Sequence, residues 1–331
     1  MNDPISPVEI KVNRNMQSYN SSVLYNYRET NRTIQDKSIQ DSNDGEYPRH
    51  IVIRRRRKTW CSFCSCLFLL TIGLLLLVAA VYLLYPSRTN ILILGLDYAD
   101  SDSPVARSDT IIVSTFVPLE PYIGFLSIPR DLWVVIPNIG ENRINTAHFF
   151  AESQNPGSGP QATIDTINLN MGISIPYYIR VKFNGFIDVV NALGGIEIDI
   201  PEAMAGYPAG KHYLNGKKAL AFARSREYAD DFQRMQQAQI LIKALFKNIL
   251  FPRNWTRFPS VVEAAFRAVD TNIPIWLYPR LGLAILRAGT SGFDSRVIDR
   301  EMVTPFTTEQ GAAVLLPQWE IIYQLIDEMF N

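Results

Sequence analysis

The sequence predicts a layered α/β fold carried on a single membrane-spanning helix. Two observations point to the fold. Beyond residue 90, short apolar runs of strand length alternate with longer stretches at helical spacing, and carboxylates, arginines and turn residues close the apolar runs. A third observation points to the span. Ser65 to Leu84 contains LFLLTIGLLLLVAAVYLL and no charged residue. About twenty helical residues cover about 30 Å, the thickness of a bilayer hydrocarbon core.

Charge sets the expected orientation. Arg54 to Lys58 are five consecutive basic residues before the run, and a lone Arg88 follows it. The excess of Lys and Arg favours the cytoplasmic side, so the N-terminus is expected there and the bulk of the chain outside. Trp60, Tyr82 and Tyr85 suit the two interfaces. The tail before the run is too long for a cleaved signal peptide. Over the whole chain 32 basic residues balance 32 acidic ones, so no global field draws the protein to nucleic acid. The expected organisation is a disordered cytoplasmic tail with its basic flank (1–59), a transmembrane anchor (60–86) and one extracytoplasmic catalytic domain (87–331). The tail is rich in Asn, Ser, Gln and charge and cannot bury enough apolar surface to offset chain entropy. Cys61, Cys64 and Cys66 cluster at the cytoplasmic edge of the span, as a partial metal site or simply as small residues at a boundary. The outer portion has no cysteine and must fold on core burial.

In chain order, NILILGL (90–96) reads as a buried strand ending at Asp97, and TIIVSTFVP as a second strand after Asp109. YIGFLSI ends at Pro129-Arg130-Asp131, and LWVVIP follows as a short strand. Residues 144–152 open a helix that NPGSGP interrupts, and helical spacing resumes from Pro160 to Met171 with Ile164 and Ile167 on one face. Ile175 to Phe183 is a strand, and Phe186 to Leu193 a helix stopped by Gly194-Gly195. Ile196 to Ile200 alternates as an edge strand, and Gly206 to Gly216 is turn-rich. Asp231 to about Leu250 is a long helix, with further helices at 261–268 and 277–288. VIDREMVTPF is a strand candidate, and the chain closes on an amphipathic helix.

The segment from Ala219 to Gln239 organises the site. It sets Arg224 and Arg226 two residues apart, then Asp231 and Arg234. An extended backbone points residues i and i+2 to one face, so two guanidinium forks would converge there. Paired forks suit a diphosphate or two carboxylates, although a solvated charged loop after a strand explains the same residues. Carboxylates and arginines also recur where strands end, which is where α/β folds form ligand crevices.

The ordered set NILILGLD, RSDT, FLSIPRD, INTAHF, YYIRVKFNGFIDVVNALGGIEIDIP, LNGKKALAFARSRE and DDFQR resembles the LytR-CpsA-Psr family, over nearly all of the chain from Asn90 onward. The resemblance implies a three-layer α/β/α sandwich with a mixed sheet, preceded by one transmembrane helix. It also implies a phosphotransferase that moves a glycopolymer from a polyprenyl-pyrophosphate carrier to a cell-wall acceptor. Its partners would be that lipid-linked donor, the acceptor glycan and the bilayer, with Mg²⁺ as cofactor. Arg107, Arg130, Arg224, Arg226 and Arg234 match the family's motif arginines, and Asp97 and Asp109 its metal-site carboxylates. Asp231 would orient an arginine or take the acceptor's proton. Tyr178, Val181 and Phe183 would line a lipid pocket, although core packing accounts for them equally well. Asp109 also reads as a turn residue before a strand, and Arg130-Asp131 as a surface ion pair.

One departure stands out. Where the family usually has Arg-Gln after the last motif arginine, this chain has Gln237-Ala238. Gln236 or Gln239 is the expected substitute from a neighbouring turn. The loss leaves two other readings open, a polyprenyl-pyrophosphate hydrolase and a non-catalytic lipid-binding or regulatory protein.

Overall fold

The computed structural model describes residues 60–96, 108–225, 231–289 and 291–330, with side chains from Ser65 onward. The tail expected to be disordered therefore lies outside the described residues. Helix α1 (Trp60–Leu84) contains the apolar run, and Ser65–Leu84 is long and apolar enough to cross a membrane, with a mean hydropathy of 2.8. Of the three cysteines, Cys66 is described and carries a free, exposed thiol.

The remaining elements belong to the unit Phe68–Asn331. Strands β1 (Thr89–Leu96), β2 (Ser108–Val117) and β3 (Tyr122–Ile128) form successive antiparallel neighbours. A small ribbon follows, β4 (Trp133–Ile136) with β5 (Gly140–Arg143), then helices α2 (Asn145–Gln154) and α3 (Gly159–Met171). Helix α3 stops at Gly172, whose φ of 69° is left-handed and open to glycine at little cost. Strand β6 (Tyr177–Lys182) pairs parallel with β1 and leads into α4 (Phe183–Ala192). A second ribbon joins β7 (Ile196–Ile200) to β8 (Gly210–Leu214), followed by α5 (Gly216–Arg224) and α6 (Asp231–Leu250). Helix α7 (Phe258–Ala268), β9 (Val269–Thr271), α8 (Tyr278–Ala288) and β10 (Phe293–Val297) come next. The hairpin β11 (Val303–Thr307) with β12 (Ala313–Pro317) and helix α9 (Trp319–Phe330) complete the chain.

The main sheet has the order β10-β3-β2-β1-β6-β9 and is mixed. Its central strands are buried on both faces, which is why they read as unbroken apolar runs. Alternation divides the core into layers. Leu92, Leu94, Ile111, Val113, Leu126 and Ile128 pack on one face against α2, α3 and α9. Ile91, Ile112, Phe116, Ile123 and Phe125 pack on the other against α8 and the Ala238, Ile242 and Phe246 side of α6. Phe125 adds ring contacts to Phe246 at 5.8 Å and Phe293 at 6.2 Å, each contributing about 1 kcal/mol beyond area burial. A third cluster joins α4, α5, α6 and α7 to the β7–β8 ribbon. Helices on both faces of a mixed sheet make the three-layer sandwich.

Four local expectations change. The segment leading to Arg224 is helical, because Asn215 accepts a capping bond from Lys218 N–H at 2.9 Å and Ala219 and Phe222, three apart, enter the core together. The turn-rich excursion contains β8, which completes the ribbon begun by β7. VIDREMVTPF divides between the end of β10, a 3₁₀ turn at Arg300–Met302 and β11. Leu316 and Pro317, expected to open the last helix, end β12 and pair with β11 instead.

Candidate active site

Strands β1, β3, β6 and β10 run the same way, and β2 runs against them. The start of β2 therefore meets the ends of β1 and β3, with Ser108 opposite Leu96 and Ile111 opposite Ile128. Asp109 and Arg130, far apart in sequence, are brought to one edge of the sheet by this topology. Helix α6 begins over the same edge with Asp231 in its first turn, where a carboxylate complements the helix dipole. Arg234 lies one turn further along.

These four residues form one ion-pair network. Arg130 Nη1 donates to Asp109 Oδ1 at 3.1 Å, its Nε to Asp231 Oδ2 at 3.2 Å, and its Nη2 lies 3.1 Å from Asp231 Oδ1. Arg234 Nη1 donates to Asp231 Oδ1 at 3.2 Å, and its Nη2 stands 3.9 Å from Asp109 Oδ2. The side chains are between 13% and 27% exposed, so the charges face water only in part. Thr110, Ser127, Ala223 and Met235 help to line the crevice between them, whose free volume of about 20 Å³ admits about one water.

Asp131 joins the network from the other side, with Oδ2 3.4 Å from Arg130 Nε and Oδ1 3.3 Å from Arg143 Nε. It is not merely half of a surface pair, because it shares the Arg130 guanidinium with Asp231. Burial and the neighbouring Asp231 push the Asp131 carboxyl above the ordinary Asp range, against the pull of Arg130 and Arg143. Burial also acts to raise Asp231, but the neighbouring Asp131 and the charges of Arg130 and Arg234 outweigh it and hold this carboxyl low. Burial weakens the charge on Arg130, and the three carboxylates more than restore it. The pair thus holds Asp231 ionised beside one carboxyl, Asp131, that protonates more easily. A groove of about 350 Å³ opens next to the crevice and shares Asp231 with it. Asp131, Phe232, Phe306, Val314 and Leu315 form its walls.

Not all expected residues meet here. Asp97, Arg107 and Arg226 lie outside the described residues. Arg224 ends α5 with its guanidinium carbon 5.0 Å from the centroid of the Phe183 ring; its neighbour Ala223 faces the crevice. Because Arg224 is the last helical residue, the extended geometry expected for it does not hold. Tyr178 and Val181 occupy alternate positions of β6 and point to opposite faces of the sheet, so they cannot line one pocket. Tyr178 packs on the α2–α3–α9 face. Phe183 starts α4 beneath Arg224.

Neither Gln236 nor Gln239 takes over the missing arginine's place. Gln239 donates to Ser127 Oγ at 2.9 Å and to the Arg296 carbonyl at 2.5 Å, tying α6 to β3 and β10. Gln236 faces grooves bordered by Glu202, Lys243 and Arg300. Gln237 is fully buried and both of its amide atoms lack a hydrogen-bond partner. Asp131, Arg143 and the β11–β12 hairpin are additions that the sequence did not single out. Only the Arg130-Asp131 adjacency hinted at the first.

The fold and the arginine–carboxylate network define a class. The family model of the LytR_cpsA_psr family matches residues 83–325, and the chain belongs to that family. Among relatives it is similar to the polyisoprenyl-teichoic acid–peptidoglycan teichoic acid transferase TagV of Bacillus subtilis, 31% identical over 231 residues, 65% of this chain and 56% of that one. It is also similar to the regulatory protein MsrR of Staphylococcus aureus, 30% identical over 195 residues, 56% of this chain and 57% of that one. The chain spans about half the length of the curated relatives it matches. The crystal structure of B. subtilis TagV superposes with a TM-score of 0.60 at 26% identity, covering 74% of this chain and 98% of that one. TagT bound to LI-WTA shares the fold, with a TM-score of 0.57 at 21% identity over 74% of this chain and 91% of that one.

Proposed function

We propose that this chain is a membrane-anchored phosphotransferase that moves a glycopolymer from a polyprenyl-pyrophosphate carrier to a cell-wall acceptor and releases polyprenyl phosphate. The N-terminus lies in the cytoplasm and the catalytic domain outside. The observation that carries this reading is the convergence of Arg130 and Arg234 on Asp109 and Asp231 at the carboxyl ends of β1 and β3. Two guanidinium groups brought to one edge match a diphosphate in charge, and their forks suit its oxygens once the carboxylates yield them. Transfer from a pyrophosphate needs no nucleotide, which suits a site outside the cell. Similarity to TagV, named as a teichoic acid transferase, supports the same class of reaction.

In this mechanism the acceptor hydroxyl oxygen attacks the phosphorus next to the glycan. The bond from that phosphorus to the bridging oxygen breaks, and the electron pair leaves on polyprenyl phosphate. Arg130 and Arg234 stabilise the charge on the transferred phosphoryl and on the leaving group. Asp231 takes the acceptor proton, its low proton affinity offset by the neighbouring Asp131, which shares it. The acceptor approaches through the groove that Asp131 and Asp231 line, which brings its hydroxyl to Asp231.

Asp109 fits Mg²⁺ in its chemistry. It offers hard carboxylate oxygen within the crevice, and its Oδ2 stands beyond hydrogen-bond range of Arg234 at 3.9 Å. Among the described residues no group of three or more acidic, His or Cys ligands surrounds it. An ion would be held here by Asp109 and substrate phosphates, with Asp97 as the second carboxylate. The ion, when bound, neutralises charge across the two phosphates.

The test incubates the full chain in detergent with a lipid-pyrophosphate-linked glycan, Mg²⁺ and cell-wall glycan. The expected products are polyprenyl phosphate and glycan bound to the wall through a phosphodiester. Free glycan phosphate in place of the wall-linked product would mean that water is the acceptor and the protein a hydrolase. Binding of donor without turnover, across donors differing in glycan, would refute transfer and favour the binding-protein reading.

A further inference from the structure

The helices α7 and α8 are apolar on two sides. Val261, Ala264 and Ala268 of α7 enter the core, as do Leu281, Ala284 and Ala288 of α8. Yet Phe258 and Phe266, eight residues apart on α7, point outward and are 52% and 64% exposed. Leu286 on α8 is 63% exposed, and the 3₁₀ turn before that helix presents Ile275 at 74% and Trp276 at 66%. A helix with one apolar face satisfies its core; a second apolar face needs another apolar neighbour. Phe266 and Tyr278 meet edge to face at 6.2 Å, so the exposed side chains of the two helices adjoin.

The location of this surface identifies its neighbour. The Tyr82 hydroxyl donates to the Trp276 carbonyl at 2.9 Å. Arg280, only 6% exposed, donates from Nη2 to the carbonyls of Tyr85 at 2.6 Å and Ser87 at 2.7 Å. The Ile275–Trp276 turn is thus fastened to the outer end of α1. Tyr82 lies two residues before the end of the apolar run at Leu84, about 3 Å along the helix axis. Whatever depth the end of α1 takes in a bilayer, the turn takes it too. Tryptophan and tyrosine favour that level. Between residues 247 and 290 the chain has six Lys and Arg against two Asp and Glu, although its total charge balances, and all six but Arg280 are exposed. Such a segment is attracted to anionic headgroups.

We infer that the outward face of α7 and α8, led by Ile275 and Trp276, rests on the anionic outer leaflet beside the span. The outer domain is then held to the membrane at two places, by α1 and by this face, and cannot swing freely about residues 85–88. A carrier lipid diffusing in the leaflet meets a catalytic domain of fixed orientation. The inference rests on the reading of α1 as a membrane anchor.

The experiment uses the full chain at one copy per nanodisc of phosphatidylethanolamine and phosphatidylglycerol. On a background with Cys61, Cys64 and Cys66 replaced by serine, Trp276→Cys, Phe266→Cys and Leu286→Cys each receive an environment-sensitive fluorophore. Leu169→Cys on α3, a position 59% exposed, provides the water-facing reference. Labels at 276, 266 and 286 are expected to emit further to the blue than the label at 169. Nitroxide-bearing phospholipids should quench them several-fold more. Equal emission and quenching at all four positions would overturn the inference. So would blue-shifted labels that appear only in discs with two copies, which would make the face a contact between chains. Retention of the chain on the disc after an alkaline carbonate wash tests the anchor separately. Loss of the chain in that wash would sink the reading of α1, whatever the labels report.

Discussion

Arg130→Ala removes one guanidinium that three carboxylates share. In the folded chain its fork lies 3.1 Å from Asp109, 3.1 Å from Asp231 and 3.4 Å from Asp131. Breaking a buried ion pair typically costs about 3–5 kcal/mol, and an exposed one below about 1 kcal/mol. Arg130 is 26% exposed, and Arg143 and Arg234 still face two of the carboxylates, so a loss of about 2 kcal/mol is expected at neutral pH. For a domain of this size that lowers Tm by about 6 °C. The pH dependence has a definite sign. Asp231 titrates below the ordinary Asp range, so its pairing stabilises the fold above the unfolded-state value, about pH 4, and is lost as pH falls through the folded value. Without Arg130 the carboxylates repel one another while ionised and recover on protonation. The gap between variant and wild type should therefore be widest above about pH 5 and narrow toward pH 3. Thermal melts of the full chain in detergent across this range read both quantities. A Tm difference below about 1 °C at pH 7, or one that stays constant down to pH 3, would show that the network is solvated and contributes little.

Three further substitutions test the frame that holds the site. Glu152 is 7% exposed, lies 3.1 Å from Arg180 and accepts from the N–H groups of Gly157 and Gly159 at 3.0 and 2.9 Å. Glu152→Ala should lower stability by about 3 kcal/mol in urea titration, and an intact midpoint would refute a structural role for the pair. Burial acts to raise this carboxyl, but the two backbone bonds and Arg180 hold it below the usual Glu range, so the wild-type benefit persists to acid pH and fades beneath that value. Gln237→Met removes a buried amide with neither atom partnered and should raise stability by about 1 kcal/mol; a lower Tm would mean that the amide is satisfied in solution. Gly216→Ala places a Cβ 2.3 Å from the Ile187 carbonyl oxygen, between α5 and α4. Overpacking of this kind costs about 1–3 kcal/mol, and because α5 ends at Arg224, transfer activity should fall along with Tm. Unchanged activity at a lowered Tm would separate α5 from the chemistry.

The elements that the sequence announced most clearly are those whose environment is simple. Strands β1, β2 and β3 read as apolar runs because both of their faces are covered, and β7 alternates because only one of its faces is. The long helix from Asp231 to Leu250 was legible from its spacing alone. Strand β8 was hidden because GKHYL pairs only with its neighbour β7 and has a weak pattern of its own. Strand β9 is three residues long and depends on β6. The segment before Arg224 mixes Ala and Leu in a pattern that suits helix and strand alike, and the Asn215 cap and the Phe222 pocket decide it.

The site divides in the same way. Residue types and order alone determined the family, the apolar span, and Asp109, Arg130, Asp231 and Arg234 as residues to watch, because family motifs and apolar runs are written in residue types over short distances. Tertiary structure decided which of them meet. Antiparallel pairing of β2 with β1 and β3 carries Asp109 to Arg130, and the start of α6 above that edge adds Asp231 and Arg234. The helical end of α5 turns Arg224 onto Phe183, and the pleat of β6 sends Tyr178 and Val181 to opposite faces. Asp131 changed from a surface ion to a partner of Asp231 for a similar reason. Asp231 lies 100 residues further along the chain, and proximity at that range is set by the packing of whole elements against each other.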